Sequence, residues 1–249
     1  MDLTHKAVDR LRLAAQMSET YYGQPLVIAT SGGKDSDVCL HLAAASGIRY
    51  EVMHNHTSVD APETMYHVRD TFRRLELAGV KCTVNYPVYK GVPVNMWTLI
   101  PQKLMPPTRT VRYCCAVLKE TGGVGRMIVT GVRWSESVKR RNNRGVYESV
   151  PHDISKKVII NNDNTDTRRL FENCKIQAKR VCNPIVDWTD YDVWSYIRAE
   201  RITVNPLYGY GFHRVGCVGC PMAGRRKRFF EFGRYPTYQR AYIRAFDRM

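Results

Sequence analysis

The 249-residue sequence has no long apolar run, and its apolar stretches fall far short of the roughly 20 residues that a membrane-spanning helix needs. Its first residues also lack the apolar segment of a secretory signal peptide. We therefore expect a cytoplasmic protein with no membrane partner. Cysteines stay reduced in the cytoplasm, so the eight present here predict metal binding or thiol chemistry and argue against a disulfide framework.

The sequence also lacks internal repeats, a low-complexity linker and the Walker A motif of many nucleotide-binding proteins. Acidic residues are few, 23 against 38 Lys and Arg, which gives a formal net charge of +15. Such an excess of positive charge attracts polyanions such as nucleic acids. A basic enzyme that binds a small phosphorylated substrate would show the same balance, so charge alone leaves both kinds of partner open.

One glycine-rich segment has the features of a phosphate site. It links a predicted strand, Leu26–Thr30, to a predicted helix over residues 35–45, and consists of Ser31, Gly32, Gly33, Lys34, Asp35 and Ser36. Glycine lets the backbone approach an anion, consecutive N–H groups form a concave nest, and the helix N-terminus adds a positive dipole end. The segment predicts a pyrophosphate-binding loop, with a simple helix-capping turn as the alternative.

Strands and helices continue to alternate along the chain. Residues 50–54, 81–86 and 127–131 predict strands, residues 62–78 predict a helix, and an amphipathic opening helix is indicated by Leu3, Val8, Leu11 and Ala15. This order predicts an α/β fold, a parallel sheet with helices on its faces. In such folds ligands bind at the carboxyl ends of the strands, which is where the glycine-rich loop lies.

The second half of the sequence is less regular. Residues 140–145 and 161–166 predict loops, residues 157–160 a short strand, and residues 188–200 a helix with Thr189 as its N-cap. We expect one domain over residues 1–224 with a basic insertion at about 140–182. A basic, aromatic helical extension is expected to follow over residues 225–249.

The expected extension combines charge with aromatic rings. Arginines recur every four residues at positions 240, 244 and 248, beside rings at positions 238, 242 and 246. Cations beside rings suit single-stranded nucleic acid. Packing of the rings on the domain is the stronger expectation for the aromatic stripe, whereas the basic stripe is not explained by packing.

Two further polar segments follow predicted strands and would line the same edge of the sheet. Arg133 in the first segment predicts contact with phosphates, with Glu136 orienting the guanidinium. Asp60 and Glu63 in the second segment are candidates to hold Mg²⁺ or to line the nucleotide. Pro62 equally predicts an ordinary helix start, and both roles are compatible.

Four cysteines form two close pairs, Cys114 with Cys115 and Cys217 with Cys220. A Cys-x-x-Cys in glycine-rich surroundings places two thiolates on one metal or cluster. Two adjacent thiolates crowd a single tetrahedral zinc, whereas a [4Fe–4S] cluster has separate irons, and this favours the cluster. A redox-active dithiol is a third possibility, although the thioredoxin-like context is missing.

The remaining cysteines give weaker signals. Cys39 and Cys82 lie in helix and strand patterns and predict core positions. Cys174 and Cys182 have two possible interpretations: a second thiol pair that handles sulfur, or two unpaired thiols in a loop. The sequence favours unpaired loop thiols.

Taken together, these motifs resemble the phosphoadenosine phosphosulfate (PAPS) reductase family of the PP-loop, adenine nucleotide alpha-hydrolase-like superfamily. The resemblance covers roughly residues 26–224, through matching stretches at residues 31–36, 62–64, 112–115 with Lys119, 131–137, 184–189 with 192–194, and 205–221. It implies a Rossmann-like parallel-sheet fold that binds ATP or another adenylyl nucleotide, with a C-terminal iron–sulfur and basic helical region.

Within that family the cysteine pattern is similar to that of the iron–sulfur adenylylsulfate reductases, which implies a [4Fe–4S] cluster on Cys114, Cys115, Cys217 and Cys220. Two departures stand out. Those reductases use a nucleophilic cysteine in a C-terminal tail, but no cysteine follows Cys220 here. The loop also keeps the full S-G-G-K-D-S of true ATP pyrophosphatases. Both departures favour a sulfur-transfer branch similar to the cluster-bearing ATP pyrophosphatase of DNA phosphorothioation systems.

The resemblance therefore implies an ATP pyrophosphatase-type sulfurtransferase that uses ATP and Mg²⁺ to adenylate an acceptor. Nucleic acid is the expected acceptor, and a cysteine desulfurase or other sulfur donor is the expected partner. The expected catalytic residues are Lys34, Asp35 and Arg133, and the expected nucleotide-binding residues are Ser31, Gly32, Gly33, Lys34, Asp35, Ser36, Asp60 and Arg133. The alternatives are a reductase of APS or PAPS that uses Cys174, Cys182 or an external thiol, and an iron–sulfur nucleic-acid-binding module.

Overall fold

A computed structural model of the protein describes residues 2–120, 122–150, 157–161 and 179–249. The chain divides into two compact units, each built from segments that are distant in sequence. Unit 1 consists of Met1–Met53, Asp70–Thr83 and Gly123–Val204. Unit 2 consists of His54–Arg69, Val84–Gly122 and Asn205–Met249.

The helices are α1 Leu3–Tyr22, α2 Lys34–Ala45, α3 Pro62–Leu77, α4 Met96–Lys103, α5 Tyr113–Leu118, α6 Val138–Asn143, α7 Asp190–Ala199, α8 Arg225–Arg234 and α9 Pro236–Phe246. The strands are β1 Leu26–Thr30, β2 Tyr50–Asn55, β3 Cys82–Asn85, β4 Val88–Tyr89, β5 Val92–Pro93, β6 Met127–Val129, β7 Tyr147–Val150, β8 Val158–Ile160 and β9 Lys179–Cys182. Among the described residues, no helix combines the length and the apolar character needed to cross a membrane.

A seven-stranded sheet has the strand order β3-β2-β1-β6-β9-β7-β8. Its centre is parallel: β1 pairs with β6, and β6 pairs with β9. Strands β7 and β8 add antiparallel pairs at one side. The central strands are almost continuously apolar and buried, as expected for parallel strands that are covered on both faces. This arrangement confirms the predicted α/β fold with a parallel sheet.

Most of the predicted elements lie where the sequence patterns placed them. Strand β1 has the predicted bounds, and α2 begins at Lys34, one residue earlier than expected. Helix α7 begins directly after Thr189, whose hydroxyl accepts a hydrogen bond from the Asp192 N–H in a capping box. These elements are predictable because helix-capping residues and hydrophobic periodicity are both local features of the sequence.

Helix α1 buries a different face from the one predicted. Leu11 is fully buried as expected, but its buried neighbours are Ala7, Arg10, Ala14, Met17 and Ser18. The face is rotated because Arg10, only 3% exposed, forms a bidentate ion pair with Asp187 at 2.7 and 3.0 Å. Lys6 Nζ adds a third bond to the same carboxylate at 2.9 Å. The ion pair thus ties the first helix to the segment that precedes α7.

Replacing Asp187 by alanine is expected to lower the free energy of unfolding by about 3–5 kcal/mol, because it leaves the buried Arg10 without its counter-charge. Burial raises the pKa of Asp187, but hydrogen bonds from Arg10 and Lys6 outweigh this effect and hold it below the usual value. The stabilisation is therefore present above the unfolded-state pKa and is lost as the pH falls through the folded-state pKa. Urea denaturation of the wild type and variant across acidic pH measures both effects. Asp9→Ala, which removes an exposed pair with Arg12, should change stability by less than about 1 kcal/mol.

The stretch after the fourth predicted strand is more ordered than the sequence suggested. The prediction of a loop at residues 140–145 is wrong for 140–143, which belong to α6; Ser137 caps this helix by accepting a hydrogen bond from the Arg140 N–H at 3.2 Å. Strand β7 was not predicted at all. Its Glu148 is fully buried and is paired by Arg144 at 2.7 Å and by Lys157 at 2.6 Å. Residues 162–166 of the other predicted loop, and Cys174, lie outside the described residues.

Unit 2 contains two apolar clusters. The larger one joins α4, α5 and α9 and consists of Val59, Val94, Met96, Leu99, Ile100, Cys114, Val117, Leu118, Tyr242 and Ala245. The smaller one consists of Ala61, Leu207, Phe212, Val218 and Tyr235. Both include residues next to the predicted cluster cysteines, so the cysteine region is part of the packed interior of this unit.

The C-terminal residues form two helices, α8 and α9, which meet at Tyr235 and Pro236. Proline is well suited to the first position of α9 because its missing N–H is not needed there. The rings of α9 pack as expected: Trp97 lies 4.9 Å from Tyr242 and 6.2 Å from Tyr238, centroid to centroid. Arg240 and Arg244 of α9 remain exposed, as does Arg248 just beyond the helix, although Arg248 donates a hydrogen bond to the Trp97 carbonyl at 3.3 Å.

Candidate functional site

The glycine-rich loop lies between the carboxyl end of β1 and the start of α2, in unit 1. Gly32 has φ of +69°, a conformation that favours glycine. The Ser36 hydroxyl donates to the Gly33 carbonyl at 2.7 Å and accepts from the Ser31 N–H at 3.3 Å, so it holds the loop in shape. Helix α2 has no side-chain cap. Its first N–H groups have no partner within the helix, and this makes the loop suitable for an anion.

The two predicted catalytic cations lie beside this loop and share one carboxylate. Lys34 and Arg133 are only 4% and 3% exposed. Asp190 Oδ1 lies 2.9 Å from Lys34 Nζ and 3.0 Å from Arg133 Nη2. Because both cations contact one oxygen atom, they are close enough to act on one bound anion.

Asp35 completes this charge network. Its Oδ1 accepts a hydrogen bond from Arg133 Nε at 2.8 Å and lies 3.4 Å from Lys34 Nζ. Partial burial raises the pKa of Asp190, but the hydrogen bond from Lys34 and the charge of Arg133 hold it below its usual value. Asp190 is therefore ionised at neutral pH, and the contacts of Asp35 and Asp190 hold the two cations in place.

The prediction that Glu136 orients Arg133 is wrong. Arg133 is oriented by Asp35, by Asp190 and by the Ser135 hydroxyl, to which Nη1 donates at 2.9 Å. Glu136 instead pairs with Arg140, four residues further along. The physical reason is the 3-10 turn at Trp134–Glu136, after which α6 brings Arg140 to the carboxylate.

Gly131, at the carboxyl end of β6, sits against the first turn of α2. A Cβ atom at this position would lie 2.8 Å from both the carbonyl carbon and the carbonyl oxygen of Asp35. Backbone atoms cannot move aside as a flexible side chain can. Only glycine therefore allows β6 and the glycine-rich loop to approach this closely.

Gly131→Ala is expected to displace the start of α2 and to lower the free energy of unfolding by about 1–3 kcal/mol, the usual cost of overpacking. Because the displaced turn belongs to the anion loop, pyrophosphate affinity should fall as well. Urea denaturation and calorimetric titration with pyrophosphate measure the two effects. Gly233→Ala is the matched control, since a Cβ there meets nothing within 4 Å. Equal stability and affinity in the two variants would contradict the close-approach argument.

The four predicted cluster cysteines all lie in unit 2. Cys114 and Cys115 occupy the first turn of α5, and Cys217 and Cys220 flank a tight turn in the segment before α8. Every cysteine that the structure describes is a free thiol. A hydrogen bond with Cys115 and burial raise the pKa of Cys114, and the charges of Cys115, Cys217 and Cys220 raise it further, so these three sulfur atoms lie within electrostatic range of Cys114.

The turn between Cys217 and Cys220 depends on its glycine. Gly219 has φ of +72°, and a Cβ there would lie 2.6 Å from the Phe232 ring and 2.8 Å from the Tyr242 ring. The Tyr242 hydroxyl donates to the Val218 carbonyl at 3.0 Å. The Gly219 N–H donates to buried Glu231 at 3.0 Å. The turn between Cys217 and Cys220 is therefore held in place by several contacts with the interior of unit 2.

The charges around the cysteines favour a thiolate at Cys115, whereas the pKa of Cys217 is raised. A hydrogen bond from the Cys114 thiol and another from Arg112, at 3.1 Å, lower the pKa of Cys115 to about 5. Burial raises the pKa of Cys217, whereas the nearby Lys119 ammonium opposes that rise. Lys119 keeps its own pKa above the usual value in spite of burial, because Cys217 and Asp60 stabilise its charge. Cationic neighbours of this kind stabilise thiolate ligands.

The donor set fits a cluster better than a single ion. In the part of the chain that the structure describes, no group of three or more His, Cys, Asp or Glu side chains is arranged to hold one metal ion. Four interacting thiols with cationic neighbours nevertheless provide the ligand chemistry of a [4Fe–4S] cluster, in which each cysteine binds a different iron. The residues present are therefore compatible with a cluster on Cys114, Cys115, Cys217 and Cys220.

Asp60 and Glu63, the predicted Mg²⁺ candidates, are engaged within unit 2. Asp60 accepts a hydrogen bond from the Thr57 hydroxyl at 2.6 Å, and its backbone forms a bridge with Cys217. Glu63 accepts hydrogen bonds from Arg234 at 2.7 Å and from the Tyr235 hydroxyl at 2.8 Å. Asp60 thus belongs to the cysteine region in this structure, and its contact with a nucleotide remains a prediction.

Comparison with known families fits the loop and the cysteines described above. The family model described as the phosphoadenosine phosphosulfate reductase domain matches residues 25–223. The chain belongs to the phosphoadenosine phosphosulfate reductase family. The matched range extends from β1 to just past the Cys217–Cys220 turn, so it includes both the glycine-rich loop and all four paired cysteines.

Relatives in the PAPS reductase family differ in how much of their length this chain covers. Two uncharacterized proteins of Methanocaldococcus jannaschii are 30% and 26% identical over 78% and 80% of this chain. The chain spans only 40% and 36% of their lengths. An adenosine 5'-phosphosulfate reductase of Bacillus cereus is 23% identical over 81% of this chain and 75% of its own length.

Solved structures show the same fold. A PAPS reductase from Candida auris, in complex with phosphate, has a TM-score of 0.56 at 17% identity and covers 86% of this chain and 89% of that one. The FMN adenylyltransferase of Candida glabrata, in complex with FAD and pyrophosphate, has a TM-score of 0.50 at 13% identity and covers 86% and 62%. These similarities establish a Rossmann-like PP-loop fold, which agrees with the predicted fold class.

Two residues beside the loop were missed by sequence reasoning. Asp190 contacts both of the predicted catalytic cations, and Trp194 lies with its ring centroid 5.9 Å from Lys34 Nζ. The capping signal at Thr189 correctly placed both residues in the first turns of α7. Nothing local in the sequence indicated that this helix end meets a loop about 150 residues earlier.

Proposed function

We propose that the protein is an ATP pyrophosphatase-type enzyme that adenylates an acceptor for sulfur transfer to nucleic acid. The supporting observation is the intact loop with its two buried cations. Lys34 and Arg133 meet at one oxygen atom beside an uncapped helix N-terminus. Such a set of preorganised positive groups suits a triphosphate from which pyrophosphate leaves.

The first step would form one bond and break another at the α-phosphorus. An acceptor oxygen attacks the α-phosphorus, and the bond to the oxygen that bridges the α- and β-phosphates breaks. Pyrophosphate leaves with that bonding pair, accompanied by Mg²⁺. Lys34, Arg133 and the N–H groups at Gly33 and the start of α2 stabilise the developing negative charge. Asp35 acts by holding Arg133 in place.

The second step would exchange oxygen for sulfur. A partner such as a cysteine desulfurase, together with a thiol that reduces its persulfide, supplies hydrosulfide. The sulfur attacks the adenylated centre, and AMP leaves with the original acceptor oxygen. A [4Fe–4S] cluster held by Cys114, Cys115, Cys217 and Cys220 would have a cysteine on every iron, so the chemistry it would supply is electron transfer and local charge. Arg112 and Lys119 would help to keep the cysteines as thiolates.

A nucleic-acid acceptor is supported by charge. The sequence has an excess of 15 positive charges, and Arg240 and Arg244 of α9 are exposed. Counter-ion release from a polyanion makes such a surface bind nucleic acid in a salt-dependent way. Small anionic acceptors need no surface of this extent.

Reduction of APS or PAPS is the second candidate, because the chain is in the PAPS reductase family and resembles an APS reductase over most of its length. That reaction needs a nucleophilic thiol. Cys182, one of the two thiols considered for this role, is fully buried at the end of β9. Its position in a strand also corrects the expectation of a loop thiol there. Burial makes it unsuited to attack a substrate.

One experiment separates these functions. Anaerobically purified protein is incubated with ATP and Mg²⁺, with and without DNA or tRNA, and pyrophosphate is measured. A second incubation replaces ATP by APS or PAPS with a thiol, and sulfite is measured. Pyrophosphate release that nucleic acid stimulates supports the proposal. Sulfite production without pyrophosphate release would overturn it in favour of the reductase.

A further inference from the structure

Helix α8 exposes an unusual face. Its exposed residues follow a helical pattern of i, i+1, i+4, i+5, i+8 and i+9, namely Arg225, Arg226, Phe229, Phe230, Gly233 and Arg234. Phe229 is 81% exposed and Phe230 is 50% exposed. The opposite face contains Glu231, which is only 3% exposed. The helix thus buries a carboxylate and turns two phenylalanine rings to solvent, the reverse of ordinary amphipathic packing.

The inner face of α8 explains why Glu231 is buried. Its carboxylate accepts the Gly219 N–H at 3.0 Å and lies 3.6 Å from Lys227. These contacts fix the helix against the Cys217–Cys220 turn. On the outer face Phe230 packs against the Phe212 ring, with 5.3 Å between centroids, and Arg234 pairs with Glu63 at 2.7 Å. Phe229, which is 81% exposed, and the two first-turn arginines have no comparable structural explanation, because an exposed ring does not stabilise an isolated fold.

The cations on the outer face are also unexplained by helix stability. Arg225 and Arg226 lie in the first turn, where the positive end of the helix dipole disfavours cations, and no acidic residue accompanies them there. Among the described residues neither arginine has an ion-pair partner. Residues 205–249 contain nine Lys and Arg against two acidic residues. This local excess suits a polyanionic partner.

Rings and cations alternate along this face. Residues four apart on a helix are neighbours, so Arg225 lies beside Phe229, and Arg226 lies beside Phe230. Arg234 continues the second row, and its guanidinium carbon lies 4.3 Å from the centroid of the Tyr210 ring, a ring that is 54% exposed. Two rows of charge and flat apolar surface therefore run along one side of the helix.

We propose that this outer face of α8, defined by Arg225, Arg226, Phe229, Phe230 and Arg234, binds single-stranded nucleic acid. The arginines contact backbone phosphates, and the phenylalanine rings stack on unpaired bases. A membrane surface is the less suitable partner, because an interfacial helix needs a continuous apolar face and α8 offers two rings between arginines. The inference rests on the proposed function, since it identifies where the acceptor strand would be held.

Binding of a labelled single-stranded oligonucleotide, as DNA and as RNA, to the full chain tests this surface by fluorescence anisotropy. Phe229→Ala is expected to weaken binding about tenfold, within the range for loss of one stacked base. Arg225→Gln with Arg226→Gln should weaken binding and reduce the slope of log K against log salt by about 1.4, the value for two lost phosphate contacts on a single strand. All variants should retain wild-type thermal stability, because the replaced side chains are exposed.

The matched control lies on α3, where another exposed ring and arginine are in contact: the Arg69 guanidinium carbon is 5.9 Å from the Tyr66 ring centroid. Tyr66→Ala with Arg69→Gln should leave oligonucleotide affinity and salt slope unchanged. Equal losses in the α3 and α8 variants would overturn the proposal, since they would reflect charge in general. Loss of binding to phosphatidylserine vesicles without loss of oligonucleotide binding would overturn it as well.

Pyrophosphate release in the absence of nucleic acid, measured on the same variants, keeps the two proposals separate. The α8 variants should retain this basal rate and lose only its stimulation by the oligonucleotide. If ATP is not cleaved by any variant but binding still depends on α8, the proposed reaction fails and the surface stands. If ATP is cleaved and binding does not depend on α8, the surface fails and the reaction stands.

Discussion

Replacing Lys34 by methionine is expected to reduce pyrophosphate release from ATP by about 10²–10³-fold, the loss typical of removing one preorganised charged group at a developing anion. Lys34 is 4% exposed at the first position of α2, and methionine keeps the length and most of the apolar stem. The substitution therefore removes the charge with little change in packing. Its ion pair with Asp190 contributes little to stability, because that carboxylate is 64% exposed.

The division of the loss between kinetic constants tells where Lys34 acts. Equal decreases in kcat and kcat/KM would show that its interaction forms mainly in the transition state, whereas a raised KM alone would indicate uniform binding of the triphosphate. Steady-state pyrophosphate release at several ATP concentrations gives both constants. We expect the decrease to be mainly in kcat, since the charge that Lys34 meets grows as pyrophosphate leaves.

Lys81→Met is the matched control for this prediction. Lys81 belongs to the same unit, is 69% exposed, and pairs with Glu51 at 3.3 Å. It removes the same charge from the protein surface without touching the loop, so pyrophosphate release should remain at the wild-type rate. A Lys34→Met enzyme that stays within about threefold of wild type would be inconsistent with the role assigned to the loop.

Sequence reasoning succeeded where the signal was contiguous. The strand, loop and helix from Leu26 to Ala45 were predictable because an apolar run, two glycines and a helical pattern follow one another directly. The start of α7 was predictable for the same reason, through the capping pattern at Thr189 and Asp192. The four grouped cysteines all lie in unit 2, and the charges of three of them act on Cys114, but their binding of one cluster stays a prediction.

Contacts between distant segments were not predictable from the sequence. The pairing of Lys34 with Asp190 and that of Arg10 with Asp187 each join residues more than 150 positions apart. Asp190 lies in the first turn of α7 and Arg10 lies within α1, and neither position carries a local signal for a partner so far along the chain. The exposure of the phenylalanines of α8 was not predictable for a related reason: hydrophobic periodicity alone does not say which face of a helix is covered by the rest of the fold.

Cys217→Ser is expected to prevent binding of the proposed iron–sulfur cluster and to destabilise unit 2. Serine is a poor ligand for iron compared with thiolate, so anaerobically purified variant protein should contain almost no iron, against about four irons per chain in the wild type. The visible charge-transfer absorption should disappear with the iron. The effect on folding should be large as well, since metal-site binding energy becomes folding energy when ligands come from separate segments.

Cys217 is the most informative of the four cysteines because its surroundings depend on it. The backbone of Cys217 forms a β-bridge with Asp60. The N–H of the next residue, Val218, donates to the Val59 carbonyl at 2.7 Å. The Lys119 ammonium lies beside the Cys217 sulfur. Without a bound cluster, the positive charge of Lys119 would lose its thiolate partner in a half-buried position. We therefore expect the variant to unfold at lower urea concentration than the wild type, and we expect chelation of iron from the wild type to have the same effect.

Cys82→Ser is the control, because Cys82 lies in β3 outside the group of four and is only partly buried. It should keep its iron, its colour and nearly all of its stability. A wild-type protein that is colourless and contains zinc would contradict the cluster assignment. So would a Cys217→Ser protein that keeps its iron, because no other thiol set in the described chain brings four cysteines together. Loss of iron in Cys217→Ser with ATP cleavage intact would separate the cluster from the first step, which is the result we expect if adenylation depends on the loop alone.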